Sequence, residues 1–168
     1  MAYSLTQLNQ MDESAFVKAL GAIFEDSPAI AQSSYSYRPF ESIQQLHQLM
    51  VTIVNAFSLE EKLALIRAHP DLGTRAKMTK ASVQEQAGVG LDRLSEEEFE
   101  RLQFLNQTYL QKFGFPFIIA VKVQTKTTIL EAFERRLHND IPAEIEQAIT
   151  EIAKIAWFRL DDQIYQDG

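Results

Sequence analysis

Apolar positions recur along most of the chain at steps of three and four residues, the spacing of an amphipathic α-helix. Two early segments show it, with Phe16, Leu20, Ile23 and Phe24 in the first and Ile43, Leu46, Leu49, Met50, Ile53 and Val54 in the second. Two late segments repeat it, with Ile129, Phe133 and Leu137 in the first and, after Pro142, Ile145, Ile149, Ile152, Ala156 and Leu160 in the second. Each segment is expected to bury one face, and the pattern predicts an all-α fold.

Serine residues mark where several helices begin. A serine followed three residues later by a glutamate matches the capping box, in which each side chain accepts from the other residue's backbone N–H. The spacing occurs at Ser58 with Glu61, at Ser82 with Glu85, and at Ser95 with Glu98. Ser27 before Pro28 predicts a further short helix, because proline suits the first turn. Gly114 is expected to end the helix that begins near Ser95.

One apolar run, Phe-Ile-Ile-Ala-Val-Lys-Val over residues 117–123, fits no clear spacing. Periodicity alone does not assign so short a run to a strand or a helix. A strand here would have no partner in this sequence, so we expect an extended or helical segment in the core of a helical bundle. Because no repeat, linker or low-complexity tract is found, residues 1–168 are expected to form a single domain.

Charge and composition narrow the function. The formal net charge of −7 opposes binding to nucleic acid or to anionic lipid. The sequence shows no signal peptide and no apolar run long enough to span a membrane, so we expect a cytoplasmic protein. A chain without cysteine has no thiolate metal site and no cysteine nucleophile. Zinc-protease, phosphate-loop and dinucleotide motifs are also missing, so neither a metal nor a nucleotide cofactor is expected.

The three histidines differ in their sequence settings. His47 lies within the predicted helix from Ser42 to Phe57, and His138 lies near the end of the helix after Thr128. Structural or surface roles are the simplest interpretation of both. His69 precedes Pro70, which disfavours helical geometry at His69 and predicts that the helix from Ser58 ends there. Spacing alone leaves a structural and a functional role for His69 equally open.

Glu85 also has two interpretations. It can simply cap the helix that Ser82 is expected to begin. The same helix start would direct backbone N–H groups outward, which suits an anionic or carbonyl-rich ligand. The two roles are compatible, and spacing does not choose between them.

Three sequence blocks carry a resemblance to a known family. They are His69–Gly73, Ser82–Gln86 and Phe113–Ile118, with further agreement over residues 24–28 and 129–137. In order and spacing these blocks resemble the 2-oxo-4-hydroxy-4-carboxy-5-ureidoimidazoline (OHCU) decarboxylases. The resemblance covers nearly the whole chain and implies a single-domain helical bundle of that type.

The resemblance implies a carboxy-lyase that converts OHCU to (S)-allantoin in urate catabolism, without a cofactor. The leaving carboxylate of OHCU is bonded to a carbon beside a conjugated C=N group, so the substrate itself can delocalise the remaining electrons. The protein would then supply orientation, charge placement and a proton on one face. The resemblance also implies a homodimer.

Site residues follow from the same resemblance. The catalytic histidine corresponds to His69, since imidazole titrates near neutral pH and suits proton transfer. Glu85 corresponds to a glutamate that orients the substrate or assists proton movement. Arg159 corresponds to an arginine suited to bidentate contact with oxygens, although a surface salt bridge with Asp161 or Asp162 is an alternative. The positions that match the substrate pocket are Pro70, Ser82, Val83, Gln84, Gln86, Phe117, Ile118, Ile119, Ala120 and Val121.

In the segment Phe117–Val121, the backbone N–H and C=O groups are expected to contact the polar edge of the OHCU ring. Phe115 is instead expected to belong to the core. Two positions depart from the family pattern. Ala29 stands where many members carry a tryptophan, which indicates a less filled packing or a different partner surface, and Val123 stands where a small residue or a polar turn is common. Two other functions are compatible with the sequence: a non-catalytic helical module that binds a ureide or a partner enzyme, and a decarboxylase or hydrolase of a related ureide.

Overall fold

The computed structural model describes residues 2–73 and 80–167, and in that part of the chain nine α-helices dominate. The α-helices are α1 (Leu5–Gln10), α2 (Glu13–Leu20), α3 (Pro28–Tyr35), α4 (Ile43–Asn55), α5 (Leu59–Arg67), α6 (Lys80–Gly88), α7 (Glu96–Phe113), α8 (Lys126–Arg136) and α9 (Ile141–Gln163). A 3₁₀ helix, Val121–Val123, precedes α8, and two short strands, β1 (Tyr3–Ser4) and β2 (Ile164–Tyr165), complete the elements. The all-α prediction is confirmed.

The chain divides into two compact units, and the first comprises residues 1–65 and 153–168. In this unit α2 packs against α3, and α3 packs against α4. Its core contains side chains that are 0–1% exposed: Leu8, Phe16, Leu20, Ile30, Leu46, Met50 and Leu160. The strands β1 and β2 pair in parallel, with Tyr3 opposite Ile164.

Arg38 ties the end of α1 to the loop after α3. Its guanidinium carbon lies 3.8 Å from the centre of the Tyr35 ring. Its Nη1 donates to the carbonyls of Leu8, Asn9 and Met11 at 3.1, 3.1 and 2.6 Å. The Leu8 carbonyl also accepts from the Met11 N–H at 3.4 Å. The three carbonyls lie at or just beyond the end of α1, where backbone donors are few, and the cation supplies hydrogen bonds to all of them.

The second unit comprises residues 66–152. Its helix α7 buries residues spaced three and four apart, namely Leu102, Leu105, Asn106, Tyr109 and Phe113. Tyr109 contacts the rings of four phenylalanines, Phe113, Phe115, Phe117 and Phe133, with centroid distances of 4.4–6.2 Å. Phe115 is 1% exposed, so its predicted place in the core is confirmed.

Most predicted helix starts are found in the structure. Ser95 and Glu98 form a reciprocal capping box, and Gly114, with φ 78°, ends α7. Ser58 and Glu61 exchange the same pair of hydrogen bonds at the start of α5. The helix predicted at Pro28 is α3, although the Ser27 hydroxyl donates to the Glu25 carbonyl instead of capping it.

The helix start predicted at Ser82 is wrong. α6 already includes Lys80, so Ser82 lies inside the helix. A capping residue precedes the first helical residue and has non-helical dihedral angles. Ser82 is therefore not the capping residue of α6, and Glu85 does not serve as the matching capping glutamate.

The apolar run at 117–123 forms no strand. Residues 116–120 have no regular secondary structure, and Val121–Val123 form the 3₁₀ helix. Residues 115–121 are buried, so an extended or helical segment in the core, as predicted, is what the structure contains. The short strands β1 and β2 were not predicted, because two residues give no periodic signal.

Candidate active site

His69 lies directly after a helix end in the second unit. α5 ends at Arg67, and the His69 backbone N–H donates to the Ile66 carbonyl at 3.2 Å. The predicted end of the helix before Pro70 is confirmed. The histidine is only 8% exposed, so its imidazole is held by the protein and does not project into solvent.

The loop after Pro70 is fixed by two buried amide side chains. Gln86 of α6 accepts from the Gly73 N–H at 2.9 Å through Oε1 and donates to the Asp71 carbonyl at 3.4 Å through Nε2. Asn106 of α7 donates to the Leu72 carbonyl at 2.8 Å. Three consecutive residues are thus anchored directly beyond the His69-Pro70 pair, which restricts the positions open to His69.

Gly73 is required where the loop turns. Its φ is 66°, in the left-handed region, and an added Cβ would lie 2.4 Å from Leu102 Cδ2. A side chain here would face both backbone strain and a steric clash. The close approach of the loop to α7 therefore depends on glycine.

Asp71 is a half-buried carboxyl group two residues after His69. Burial raises its pKa above the usual value, because the charged form loses solvation. Asp71, two residues from His69, therefore takes up a proton at a higher pH than an exposed aspartate does.

α6 separates the predicted pocket residues into two groups. Ser82 and Gln86, one turn apart, are 6% exposed, and Glu85 is half-buried. Val83 is 45% exposed, and Gln84 is also exposed. The side chains of Val83 and Gln84 therefore lie on the solvent face of α6, away from Ser82 and Gln86.

The segment Phe117–Val121 is buried and adjoins α6 through the 3₁₀ helix that begins at Val121. Two of its backbone groups are occupied by protein side chains. Arg136 Nη1 donates to the Ile118 carbonyl at 2.7 Å, and the Ala120 N–H donates to Glu151 Oε1 at 3.0 Å. The structure thus brings His69, the buried face of α6 and this segment into one unit.

Arg159 belongs to the first unit, on the final part of α9. It is 6% exposed, and its Nη2 donates to Glu25 Oε2 at 2.9 Å. Its Nη1 donates to the Ala22 and Ile23 carbonyls at 3.2 and 3.4 Å. The alternative of a surface salt bridge is wrong, because this guanidinium is buried.

The other histidines have the settings expected of structural or surface residues. His47 is partly buried, and its Nε2 lies 2.8 Å from the Ala153 carbonyl. His138 is exposed, just after α8.

Within residues 2–73 and 80–167, no group of three or more His, Asp or Glu side chains is arranged to hold a metal ion, and no helix is long and apolar enough to cross a membrane.

Sequence reasoning missed the residues that hold these site elements in place. They are Glu25, Asn106, Arg136, Glu144 and Glu151. Asn106 shows a usable signal, because a polar residue occupies the buried stripe of α7 and must find a hydrogen bond. The glutamates and arginines give no such signal, since the sequence does not show that they are buried.

A family model for the OHCU decarboxylases matches residues 9–161. The chain belongs to the OHCU decarboxylase family. The OHCU decarboxylase of Halalkalicoccus jeotgali is 45% identical over 166 residues, covering 98% of this chain and 94% of that protein. The uric acid degradation bifunctional protein of Bacillus subtilis is also 45% identical, and the match covers 99% of this chain and 34% of that protein.

A solved structure of an (S)-allantoin synthase has the same fold as this family member. The TM-score is 0.78 at 32% sequence identity, and the match covers 96% of this chain and 54% of that chain. The helical fold inferred for an OHCU decarboxylase from the sequence blocks is therefore confirmed.

Proposed function

We propose that this protein decarboxylates OHCU to (S)-allantoin in urate catabolism. The observation that carries the proposal is membership of the OHCU decarboxylase family over nearly the full chain, with relatives at 45% identity. The names of two relatives refer to OHCU decarboxylation and to uric acid degradation, which supports a place for this activity in urate catabolism.

The reaction requires little chemistry from the protein. The bond between the ring carbon and the carboxylate breaks, carbon dioxide leaves, and the electron pair delocalises into the adjacent C=N group. The neighbouring ring carbon, which bears the ureido group, then takes a proton, and delivery from one face gives the (S) product. The hydroxyl-bearing carbon becomes the carbonyl of allantoin as its O–H proton passes to the nitrogen. The enzyme gains rate by orienting the carboxylate and by placing a proton donor on that face.

His69 is the proposed acid/base residue. Its burial at a helix exit and the anchoring of residues 71–73 by Gln86 and Asn106 support this role. A general acid must keep its position relative to the reacting atom to within a fraction of an ångström. A loop whose backbone is hydrogen-bonded to two buried amide side chains meets that requirement better than a loop without such contacts.

Glu85 and Arg159 complete the proposed catalytic set. Glu85 is half-buried on α6, one residue before the anchoring Gln86, which suits a carboxylate that orients the substrate. The assignment of Arg159 as a substrate contact rests on the resemblance, and Glu25 partly balances its charge.

The remaining proposed contacts are Pro70, Ser82, Gln86 and the backbone of Phe117–Val121. Val83 and Gln84 belong to the same proposal, and because their side chains are exposed, their contribution is confined to the backbone.

We also propose a cytoplasmic homodimer in which residues 1–168 form one domain and no cofactor takes part. Analytical ultracentrifugation tests the dimer, which a single monomeric species at micromolar concentration would contradict.

Circular dichroism in the allantoin band tests the reaction directly. Uricase and hydroxyisourate hydrolase generate OHCU in the cuvette from urate, with and without this protein. We expect the (S) signal to appear rapidly only when the protein is present. Slow formation of racemic allantoin in both samples would overturn the proposal and favour a binding module.

Replacement of His69, the proposed acid/base residue, distinguishes a decarboxylase from a non-catalytic binding module. The variant His69→Asn keeps a polar side chain of similar size, so we expect it to fold and to lose about 10²-fold or more in turnover. His138→Asn, an exposed histidine outside the site, is the matched control and is expected to retain full turnover. Equal rates for the two variants would eliminate the role of His69.

A further inference from the structure

α9 carries two buried carboxylates, Glu144 and Glu151, which are 0% and 4% exposed. They are seven residues apart, so they lie on the same face of the helix, two turns from each other. Glutamate is almost never fully buried unless it is paired, because a desolvated charge is costly. Two such residues on one helix face therefore require partners, and both sets of partners lead to the segment Phe117–Val121.

Glu151 holds this segment directly. Its Oε1 accepts from the Ala120 N–H at 3.0 Å, and its Oε2 accepts from Gln147 Nε2, one turn earlier, at 3.0 Å. An irregular segment has no ladder to satisfy its backbone, so this N–H depends on a side-chain acceptor.

Glu144 holds the segment through Arg136. The carboxylate accepts from Tyr109 Oη at 2.5 Å, from Arg136 Nε at 2.9 Å and from Asn139 Nδ2 at 2.9 Å. Arg136 Nη1 then donates to the Ile118 carbonyl at 2.7 Å. The guanidinium carbon also lies 4.3 Å from the centre of the Phe117 ring, which gives the cation a second contact with the segment.

The two contacts fix the direction of the backbone between them. In a trans peptide unit, the C=O of one residue and the N–H of the next residue point in opposite directions. The peptide bonds on both sides of Ile119 are trans. The Ile118 carbonyl and the Ala120 N–H both point toward side chains of α8 and α9, so the N–H and C=O of Ile119 point to the opposite side.

Stability alone does not account for this arrangement. Replacing a buried ion pair by apolar residues of similar volume is often neutral or stabilising. An apolar helix face would also leave the Ile118 carbonyl and the Ala120 N–H without these partners, and the hydrogen bonds that specify the orientation of the backbone would be lost. The buried charges instead define one orientation of the backbone.

We propose that Glu151, and Glu144 acting through Arg136, are positioning residues that set the orientation of the Phe117–Val121 backbone for substrate binding. The proposal rests on the proposed function, since it assigns a role to this segment in the same site. Neither glutamate contacts substrate. Each acts by keeping the Ile119 backbone groups turned away from α8 and α9 and toward the ligand.

A pair of substitutions at Glu151 tests the proposal. Glu151→Gln keeps an acceptor for the Ala120 N–H, whereas Glu151→Met has a similar length and no acceptor. We expect Glu151→Met to raise KM by about tenfold with kcat within about twofold, because it removes ground-state and transition-state binding equally. Glu151→Gln is expected to restore KM to within about threefold of the wild-type value.

Leu105→Ala is the matched control for lost stability. Leu105 is buried on α7 and makes none of these hydrogen bonds, so its truncation lowers the melting temperature through a cavity. At a temperature where all variants are folded by circular dichroism, we expect its KM to be unchanged. If Leu105→Ala and Glu151→Met shift KM equally, the positioning role is overturned.

Arg136→Lys is a second test variant, which keeps the proposal testable if Glu151→Met does not fold. A lysine keeps the charge beside Glu144, but a single ammonium cannot reproduce the forked contact with both Glu144 and the Ile118 carbonyl. We expect a raised KM with little change in kcat here as well. An unchanged KM would overturn the part of the proposal that concerns Glu144.

Amide hydrogen exchange separates this proposal from the proposed function. Measured by NMR without any substrate, the Ala120 N–H should exchange at least about tenfold faster in Glu151→Met than in Glu151→Gln. A wild-type protein without decarboxylase activity would overturn the function. Equal exchange in the two variants would overturn the positioning role, whatever the activity.

Discussion

The loop after His69 shows how single polar side chains determine where a candidate catalytic group lies. Gln86 and Asn106 are both buried, and each satisfies a backbone group of residues 71–73. An apolar residue at either place would fill the space equally well and leave the loop unheld. The amides therefore contribute more to the position of the loop than to the core.

Gln86→Leu tests the importance of this anchor. The substitution leaves the buried Gly73 N–H without its acceptor, which we expect to destabilise the fold by about 1–3 kcal/mol. Turnover should fall as well, because His69 loses its fixed support. Thermal unfolding and the allantoin-band assay measure the two effects.

Gln107→Leu, an identical exchange at an exposed position of α7, is the control and should change stability by less than about 0.5 kcal/mol. If Gln86→Leu loses stability and keeps full turnover, the loop anchor has no bearing on the chemistry.

For single residues, the sequence predicted where a residue lies relative to a helix end better than it predicted which distant residue that side chain contacts. Pro70 shows that the helix ends before His69, since the restriction is local. That Glu25 pairs with Arg159 depends on a contact between residues 134 positions apart in the chain. No local pattern encodes such a contact, so the burial of Arg159 could not be foreseen.

At the scale of the helices, reciprocal capping sets where α7 begins. The Glu98 N–H donates to Ser95 Oγ at 3.1 Å, and the Ser95 N–H donates to Glu98 Oε1 at 2.9 Å. The hydrogen bond from the Ser95 backbone is the largest cause that lowers the pKa of Glu98, and Lys126 lowers it further. The ionised form is thus favoured in the folded protein.

Ser95→Ala is expected to cost about 1 kcal/mol of unfolding free energy, the usual value for a lost cap. Ser14→Ala, an exposed serine within α2, is the control and should be nearly neutral. Chemical denaturation at neutral pH measures both. Equal stabilities of the two variants would show that the box contributes nothing to α7.

The same box predicts a pH dependence. A lowered pKa means that the stability due to Glu98 is present above the pKa of the unfolded chain and is lost as the pH falls through the folded value. The difference in stability between wild type and Glu98→Gln should therefore shrink in acid. A difference that stays constant down to the acid limit of folding would contradict this origin.

Elements with strong local signals were predicted well, and those without were not. The helices α4, α5, α7, α8 and α9 show apolar spacing or caps that are local in sequence. Ser82-Val83-Gln84-Glu85 also matches a capping box, yet α6 already includes Lys80. A serine inside a helix costs little, so the pattern alone does not place the helix start. The segment 117–121 is irregular because buried side chains of α8 and α9 hold its backbone, which is a tertiary effect.

At the scale of the molecule, two compact units share two helices. α5 and α9 each have residues in both units, since the borders fall at residues 65–66 and 152–153. Unfolding either unit would therefore interrupt helices on which the other depends. We therefore expect one cooperative unfolding transition.

Trp157 makes the expectation measurable, because it is the single tryptophan of the sequence and belongs to the first unit. Its fluorescence follows that unit, whereas far-ultraviolet circular dichroism follows every helix. In urea, the two signals should give the same midpoint and the same slope. Separate midpoints would show that the units unfold independently.

The parallel pairing of β1 with β2 also bears on the order of events during synthesis. Tyr3 lies opposite Ile164, so the first unit is completed only when residues 153–165 have left the ribosome. The second unit is continuous over residues 66–152, a stretch that takes on the order of ten seconds to translate. During that interval the first helices of the nascent chain lack their last partners, and at its end the second unit has all of its own residues while the first unit does not.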